Sequence, residues 1–366
     1  MSGDSNARYM RIKTSLQREV AGTPPHTRIR SRSDLVRDFK VSRTTIDRAI
    51  SELIGEGILY ARDGSGTYVA ERNGMWPGNG AMRSWGVLLP DIRHYTYPGI
   101  LRGIEHVGFE NGVNVIVGNI ENQAARQTSY LRNFIKSQVT GVIIVPARPN
   151  PQEGLEDQLS TMLAELTDHG IPFVFCNRNT PGIEAPQVIS NDFHGGYLAA
   201  RHLIERGYRR IAYIAHPRYA ISLNRYMGYA SALAAAGGKP DDGLVVFSDS
   251  WDFETPGRDE MGRMLDGPNP PDAVVCFTDL IAKGAYHAIL DRGLVPGRDI
   301  GIVGYDDSMV CVSLDIPLTS VKVDSYELGR RAAQFLLDVD GQWTSHRSAS
   351  IILTPELVAR QSTARA

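Results

Sequence analysis

The chain has 366 residues, 42% of them hydrophobic and 22% charged, with a formal net charge of −2. That length allows two or three compact units with a sizeable core, and the composition excludes a disordered chain. The charge is uneven: Met1 to Arg72 carries 13 Lys+Arg against 9 Asp+Glu and the remainder 26 against 32, so only the head suits a polyanion.

Met1–Arg11 is polar and lacks the apolar core of a signal peptide. From there, Met10, Ile12, Leu16 and Val20 fall near helical spacing and predict a first helix over 9–20. Ser31 with Asp34 resembles a capping box and opens a second helix through Leu35, Val36 and Phe39. Ser42 is a good N-cap for a third, in which Ile46, Ala49, Ile50, Leu53 and Ile54 form one apolar stripe. Two β-prone runs, 58–60 and 67–69, then flank the turn Asp63-Gly64-Ser65-Gly66, a hairpin. Three helices and a hairpin make a winged helix-turn-helix over 1–70. Opposite its stripe the third helix shows Arg43, Thr44, Thr45, Asp47, Arg48 and Ser51. A recognition helix needs such a face: Arg43 can grip a guanine or a phosphate, and the short threonines let the backbone approach. Gly64 and Gly66 let the turn lie against DNA without Cβ clashes, and Arg62 adds charge.

Residues 71–84 carry three Gly, a Pro and no periodicity, and read as a linker. From 85 to 366 the pattern is α/β. Short apolar runs at 86–89, 113–117, 142–145, 173–176, 211–214, 244–247, 273–277 and 300–303 alternate with amphipathic segments near 99–111, 123–138, 155–169, 193–207, 222–236, 256–266 and 279–293. Such alternation predicts doubly wound parallel sheets with right-handed crossovers, and eight runs fit two units better than one. Nowhere is there a run of about 18 apolar residues, so no membrane partner is expected and the cytoplasm is the default. Cys176, Cys276 and Cys311 match no metal or redox spacing and read as buried free thiols.

Ligands of open α/β sheets bind beyond the carboxyl ends of the strands. The residues there are 91–97 (DIRHYTY), Ala147-Arg148, Asn177-Arg178, Thr278-Asp279 and Tyr305-Asp306-Asp307. Carboxylates, amides, guanidiniums and aromatic faces at strand ends suit a polyol, while Arg148, Arg178 and Arg225 would equally serve an anion. An enzyme is not supported: no GxGxxG follows a strand, 237–240 (GGKP) lacks P-loop spacing, and HExxH and GxSxG are missing. No cofactor or metal is expected.

The run from Arg30 to Val69, RSRSDLVRDFKVSRTTIDRAISELIGEGILYARDGSGTYV, resembles the winged helix of the GntR family of bacterial transcription regulators. The resemblance implies that Arg43, Thr44, Thr45 and Gly64 contact double-stranded operator DNA and that Arg8 reaches phosphate. Asp47 stands where the family has a basic residue and Arg32 where it has a glutamate; Arg32 is counted with the DNA-facing set, and Arg48 would take over part of the missing charge. Segments including YPGILRGIE, IPFVFCNRN, RYMGYASAL and IGIVGYDDS resemble the LacI/GalR repressors, which share the two-lobed fold of periplasmic sugar-binding proteins. This second resemblance implies one lobe near 85–177 with 308–322, the other near 178–307 with 323–366, and a homodimer. Its ligand contacts map onto Tyr97, Asn177, Arg178, Arg225, Phe253, Thr278 and Asp306, with Arg148 at the cleft edge. Together the two resemblances imply a repressor of a sugar-utilisation operon, relieved by a small sugar such as L-arabinose. A transport-type or chemosensing sugar-binding protein, and a regulator that senses a sugar acid or other anion, remain alternatives.

Overall fold

A computed structural model describes residues 9, 12–17, 19–20, 23–24, 26–55, 58–62, 65–70, 83–148, 156–339 and 343–365. Arg8, Gly64 and residues 71–82 of the expected linker lie outside them. The chain divides into a head and a body.

In the head, helical backbone over 12–17 and 19–20 precedes helices α1 (Arg32–Phe39) and α2 (Arg43–Gly55) and strands β1 (Leu59–Arg62) and β2 (Gly66–Val69). The Ser31 hydroxyl accepts from the Asp34 N–H and donates to its carboxylate, so one side chain caps α1 and fixes its first turn. Ser42 caps α2 by accepting from the Thr45 N–H. The expected stripe is the core: Ile46, Ala49, Ile50 and Leu53 are buried with Ile12, Leu16, Val20 and Leu35, closed by Leu59 and Val69 of the antiparallel hairpin. Packing the apolar stripe inward leaves the opposite face of α2 to solvent.

The body holds two six-stranded sheets among the described residues. The first has the order β13-β7-β6-β5-β3-β4 and the second β14-β12-β11-β10-β8-β9. In chain order the elements are β3 (Ser84–Leu89), α3 (Thr96–Glu110), β4 (Asn114–Asn119), α4 (Ala124–Lys136), β5 (Gly141–Ile144), α5 (Glu156–Asp168), β6 (Phe173–Asn177), β7 (Gln187–Ser190), α6 (Asp192–Glu205), β8 (Ile211–Ala215), α7 (Ala220–Ala235), β9 (Val245–Phe247), α8 (Thr255–Leu265), β10 (Ala273–Cys276), α9 (Asp279–Leu290), β11 (Gly301–Tyr305), α10 (Val310–Ser313), β12 (Thr319–Lys322), α11 (Ser325–Asp338), β13 (Ser350–Leu353) and β14 (Glu356–Val358). The strand pairs described run parallel except β12 with β14. The central strands are buried along nearly their whole length, as a sheet covered on both faces requires. Cys176, Cys276 and Cys311 are free and buried.

The lobes are partitioned differently from the expectation. The first sheet keeps β7, so the chain leaves that lobe between Ser190 and Asp192, not after Asn177. β12 belongs to the second sheet, which places residues 308–322 in the second lobe, and the chain recrosses before α11, which lies on β5, β6 and β7. β13 then joins the first sheet and β14 the second. The strands that decide this, QVIS, TSVK, SIIL and ELV, are three or four residues long. Their sheet is set by pairing with distant residues, which local composition does not encode.

Helices α6 and α7 meet backbone to backbone. A methyl group on Gly196 would overlap the carbonyl oxygen of Arg225, and one on Gly228 the carbonyl oxygen of Phe193. Glycine is needed at this crossing because any Cβ would force the helices apart. Gly196→Ala should lower stability by about 1–3 kcal/mol through overpacking, read as an earlier urea midpoint; an unchanged midpoint would show that the crossing tolerates a side chain. The crossing also fixes where Arg225 emerges.

Candidate functional site

The head presents two polar surfaces. On α2, Arg43 and Arg48 are well exposed, at 76% and 61% of their side chains. Thr44 is exposed and shares the Ser42 hydroxyl with Thr45, which is half-buried. Arg48 lies over the Tyr9 ring, 4.4 Å from its centroid, and its Nε is 3.6 Å from Glu52. That guanidinium is therefore shared with the first helix and is not wholly available to DNA. Arg32 is more deeply engaged: its Nε donates to Asp47 at 2.8 Å and its Nη1 to the Thr67 hydroxyl at 3.3 Å. One side chain at the start of α1 thus ties the recognition helix to the wing strand. Asp47 also faces the Arg43 Nε at 3.8 Å, so the carboxylate that stands in place of the family's basic residue is held between two guanidiniums. The two departures from the family pattern, Arg32 and Asp47, are partners. On the wing, Arg62 is exposed, and the Arg28 guanidinium lies against Gly66, whose φ of +127° is a backbone state that glycine adopts freely. Arg28 escaped the sequence reading because nothing local pairs it with the hairpin; its backbone bridges to Tyr68.

In the body the strand-end residues converge. From the first lobe come His94, Tyr97, Arg148 and Arg178, and from the second His216, Tyr219, Arg225, Trp251, Phe253, Phe277, Tyr305 and Asp306. Rings meet across the gap: His94 and Phe253 have centroids 5.5 Å apart, and the Arg148 guanidinium lies 4.7 Å from the Trp251 ring and 5.9 Å from Phe253. His216 packs on Trp251, Phe253 and Phe277, and its Nε2 is buried with no partner among the described residues.

Each guanidinium is held by a different device. Arg178, buried, donates to the Pro146 carbonyl at 2.7 Å and to the Tyr97 hydroxyl and Asn122 amide oxygen at 3.4 Å. Arg225, also buried, donates through Nε to Asp192 at 2.8 Å and through Nη1 to the Phe277 carbonyl at 2.6 Å. Its plane stacks on the Tyr305 ring at 3.4 Å, and the Tyr305 hydroxyl donates to Asp192 at 3.4 Å. Burial raises the Asp192 carboxyl in spite of Arg225. Burial, with repulsion from Arg148 foremost among the charges, lowers both His94 and His216 to about 4, so both imidazoles are neutral at pH 7.

Asn177 ends β6 with φ of +66°, and Asp306 and Asp307, which follow β11, have φ of +101° and +51°. A non-glycine residue with positive φ persists only where its surroundings hold the backbone there. Asp306 is half-buried, and it lines a recess with Thr96, Ser308, Lys322, Ser325 and Tyr326. Thr278 is buried, and its hydroxyl caps α9 by accepting from the Ile281 N–H at 3.3 Å. The structure therefore brings Tyr97, Arg148, Arg178, Arg225 and Phe253 together, sets Asp306 beside them, and gives Thr278 a structural duty. His216 and Trp251 follow β8 and β9; the strand-end rule would have found them had those two ends been read.

Desolvation pushes the Asp306 carboxyl up to about 8, against the pull of Arg225. An unfolded Asp titrates near ~3.9, so the native chain holds an extra proton between about pH 4 and 8 and loses that contribution to stability as pH rises through 8. Asp306→Asn cannot ionise. Its melting temperature relative to the parent should climb from pH 5 to 9, and parallel curves would contradict the burial of this carboxyl.

Comparison with known proteins agrees with both halves of this picture. Residues 9–69 match the bacterial regulatory proteins, gntR family, and residues 200–363 a periplasmic binding protein-like domain. A winged head of the first kind on a two-lobed body of the second defines the class: the chain is a transcription regulator of the combined LacI/GntR type. Among its relatives, it is 27% identical to the arabinose metabolism transcriptional repressor of Halalkalibacterium halodurans over 93% of this chain and 92% of that one. It is 29% identical to the HTH-type transcriptional repressor CytR of Escherichia coli K12 over 90% and 95%. A LacI family transcriptional regulator from Enterococcus faecium with bound ribose superimposes with a TM-score of 0.64 at 26% identity, covering 78% of this chain and all of that one. No helix among the described residues is long and apolar enough to cross a membrane.

Proposed function

We propose that the chain is a cytoplasmic repressor whose hold on operator DNA is released by a small hydroxylated molecule of the sugar class bound between its two lobes. The observation that carries this reading is the convergence of guanidiniums and aromatic faces from both lobes on one gap, in a chain whose other unit is a winged helix-turn-helix. Aromatic faces pack on C–H surfaces and guanidinium forks bind pairs of oxygens, which is how a polyhydroxylated ligand is recognised. L-Arabinose is the first candidate, because the arabinose repressor is similar over nearly the whole chain. The chain acts as a homodimer in this proposal, since two wings can then read the two halves of a pseudo-palindrome. A transport or chemosensing role would leave the domain at 9–69 without a use.

Ligand and DNA are coupled through their different affinities for two lobe arrangements, and the coupling is reciprocal. A coupling of about 2–3 kcal/mol changes operator affinity by up to two orders of magnitude. The test is fluorescence anisotropy of the purified chain on a fragment selected from random DNA, repeated with a panel of pentoses, hexoses and their derivatives. Dissociation at saturating ligand, and weaker ligand binding when DNA is present, are expected. A panel that leaves DNA affinity unchanged would overturn the proposal.

A further inference from the structure

The cations of the cleft are not balanced by its carboxylates. Among the described residues, the acidic side chains around it are already committed: Asp252, between Trp251 and Phe253, accepts from the Phe253 N–H at 2.7 Å and the Thr255 hydroxyl at 2.5 Å, and Asp307 pairs with Arg360 at 2.7 Å. Asp192 is taken by Arg225. Asp91, which attracts Arg148 from its own lobe, is gripped by both ends of the Arg93 fork at 3.0 and 2.9 Å. Asp279 accepts from the Ser320 hydroxyl at 2.6 Å and the Ser308 N–H at 2.7 Å. Asp306 is beside Arg225 and holds its proton at neutral pH.

Two guanidiniums are left over. All three protein acceptors of Arg178 are neutral. Arg148 has no ion-pair partner among the described residues; its Nε is buried and unpartnered, and its plane is packed on Trp251 and Phe253. The two repel one another. Drawing a cation out of water without a counter-charge is unfavourable, and aromatic stacking returns only part of that cost. A neutral sugar can accept hydrogen bonds from such forks, but it leaves their charge uncompensated. An anion compensates it, and a planar fork held flat by aromatic rings presents its N–H edge to two oxygens at once. The unpartnered His216 Nε2, buried beside Trp251, adds a further polar atom at the same wall.

We infer that the effector is anionic, a polyhydroxylated molecule bearing one carboxylate or phosphate group, with Arg148 and Arg178 binding that group and the Tyr97 and Phe253 walls taking the carbon chain. This inference rests on the function proposed above and replaces its first candidate, neutral L-arabinose, with an acidic or phosphorylated relative of a sugar.

Isothermal titration of the full chain with L-arabinose, L-arabinonate, D-glucose, D-gluconate, D-glucuronate and D-glucose 6-phosphate tests it, alongside release of DNA by each. At least one acid or phosphate ester should bind about ten-fold or more tightly than its neutral parent, the effect of one charged hydrogen-bonded contact. The carboxylate and phosphate arms tell which anion is preferred. Arg148→Gln should shrink that preference toward unity and Arg148→Lys should keep part of it, with circular dichroism confirming that both are folded. If a neutral sugar binds and releases DNA while no acid or ester outdoes its parent, the inference falls and the proposed function stands. If no member of the panel binds, both fall.

Discussion

Arg225→Ala should lower the unfolding free energy of the chain by about 3–5 kcal/mol, the usual result of removing one partner from a buried ion pair. The guanidinium does three jobs at once. It neutralises Asp192, satisfies the Phe277 carbonyl and covers the Tyr305 ring, and both charged side chains are under a tenth exposed. Truncation leaves a carboxylate in a dry site with only a 3.4 Å bond from the Tyr305 hydroxyl. The loss should depend on pH with a definite sign. The Asp192 carboxyl is already held above its ordinary range by burial. Without Arg225 the native state takes up a proton that the unfolded chain releases, so the variant regains stability as pH falls from 7 toward 5. A paired change, Asp192→Leu with Arg225→Met, removes both charges and should recover most of the loss. Urea unfolding at pH 5 and 7 distinguishes these cases; an Arg225→Ala chain as stable as the parent at both would mean that the pair is solvated.

What the sequence discloses and what it hides follow from the range of the interactions. The helices of the head are local objects: Ser31 and Ser42 reach three residues ahead, and the stripe from Ile46 to Leu53 repeats at helical period. The alternation of buried strands with helices was similarly legible, because strands covered on both faces are nearly uniformly apolar. The strand-end rule brought Tyr97, Arg148, Arg178 and Asp306 into view from topology alone. Hidden were the interactions between residues remote in sequence. Arg32 and Asp47 each look like a fault when considered singly, and only the packing of α1 against α2 makes them a pair. Asp192 is one helix away from Arg225, and their meeting depends on the glycine crossing of α6 and α7. The lobe partition turned on four short strands whose partners lie up to 163 residues apart, as Gln187 and Ser350 do.

Arg43→Ala should weaken binding to a selected operator fragment by about 1–3 kcal/mol, roughly ten- to a hundred-fold, while leaving effector affinity as it was. Of the basic residues on α2, Arg43 is the more exposed, and its restraint by Asp47 is a loose one at 3.8 Å. Arg48 is drawn back over Tyr9 toward Glu52, so Arg48→Ala should cost the operator complex less and the fold of the head more. The two roles that Arg43 can play are separated by salt. A phosphate contact contributes to the slope of log affinity against log salt, and its removal flattens that slope by about one while weakening all sequences alike. A base contact leaves the slope nearly unchanged and relaxes the preference at one position of the fragment. Because Asp47 holds Arg43 from the i+4 side, its removal frees the guanidinium to reach any phosphate. Asp47→Ala should therefore raise affinity for random DNA more than for the selected fragment, lowering specificity as affinity grows. If Arg43→Ala left both the affinity and the salt slope untouched, the exposed face of α2 would not be the surface that meets DNA.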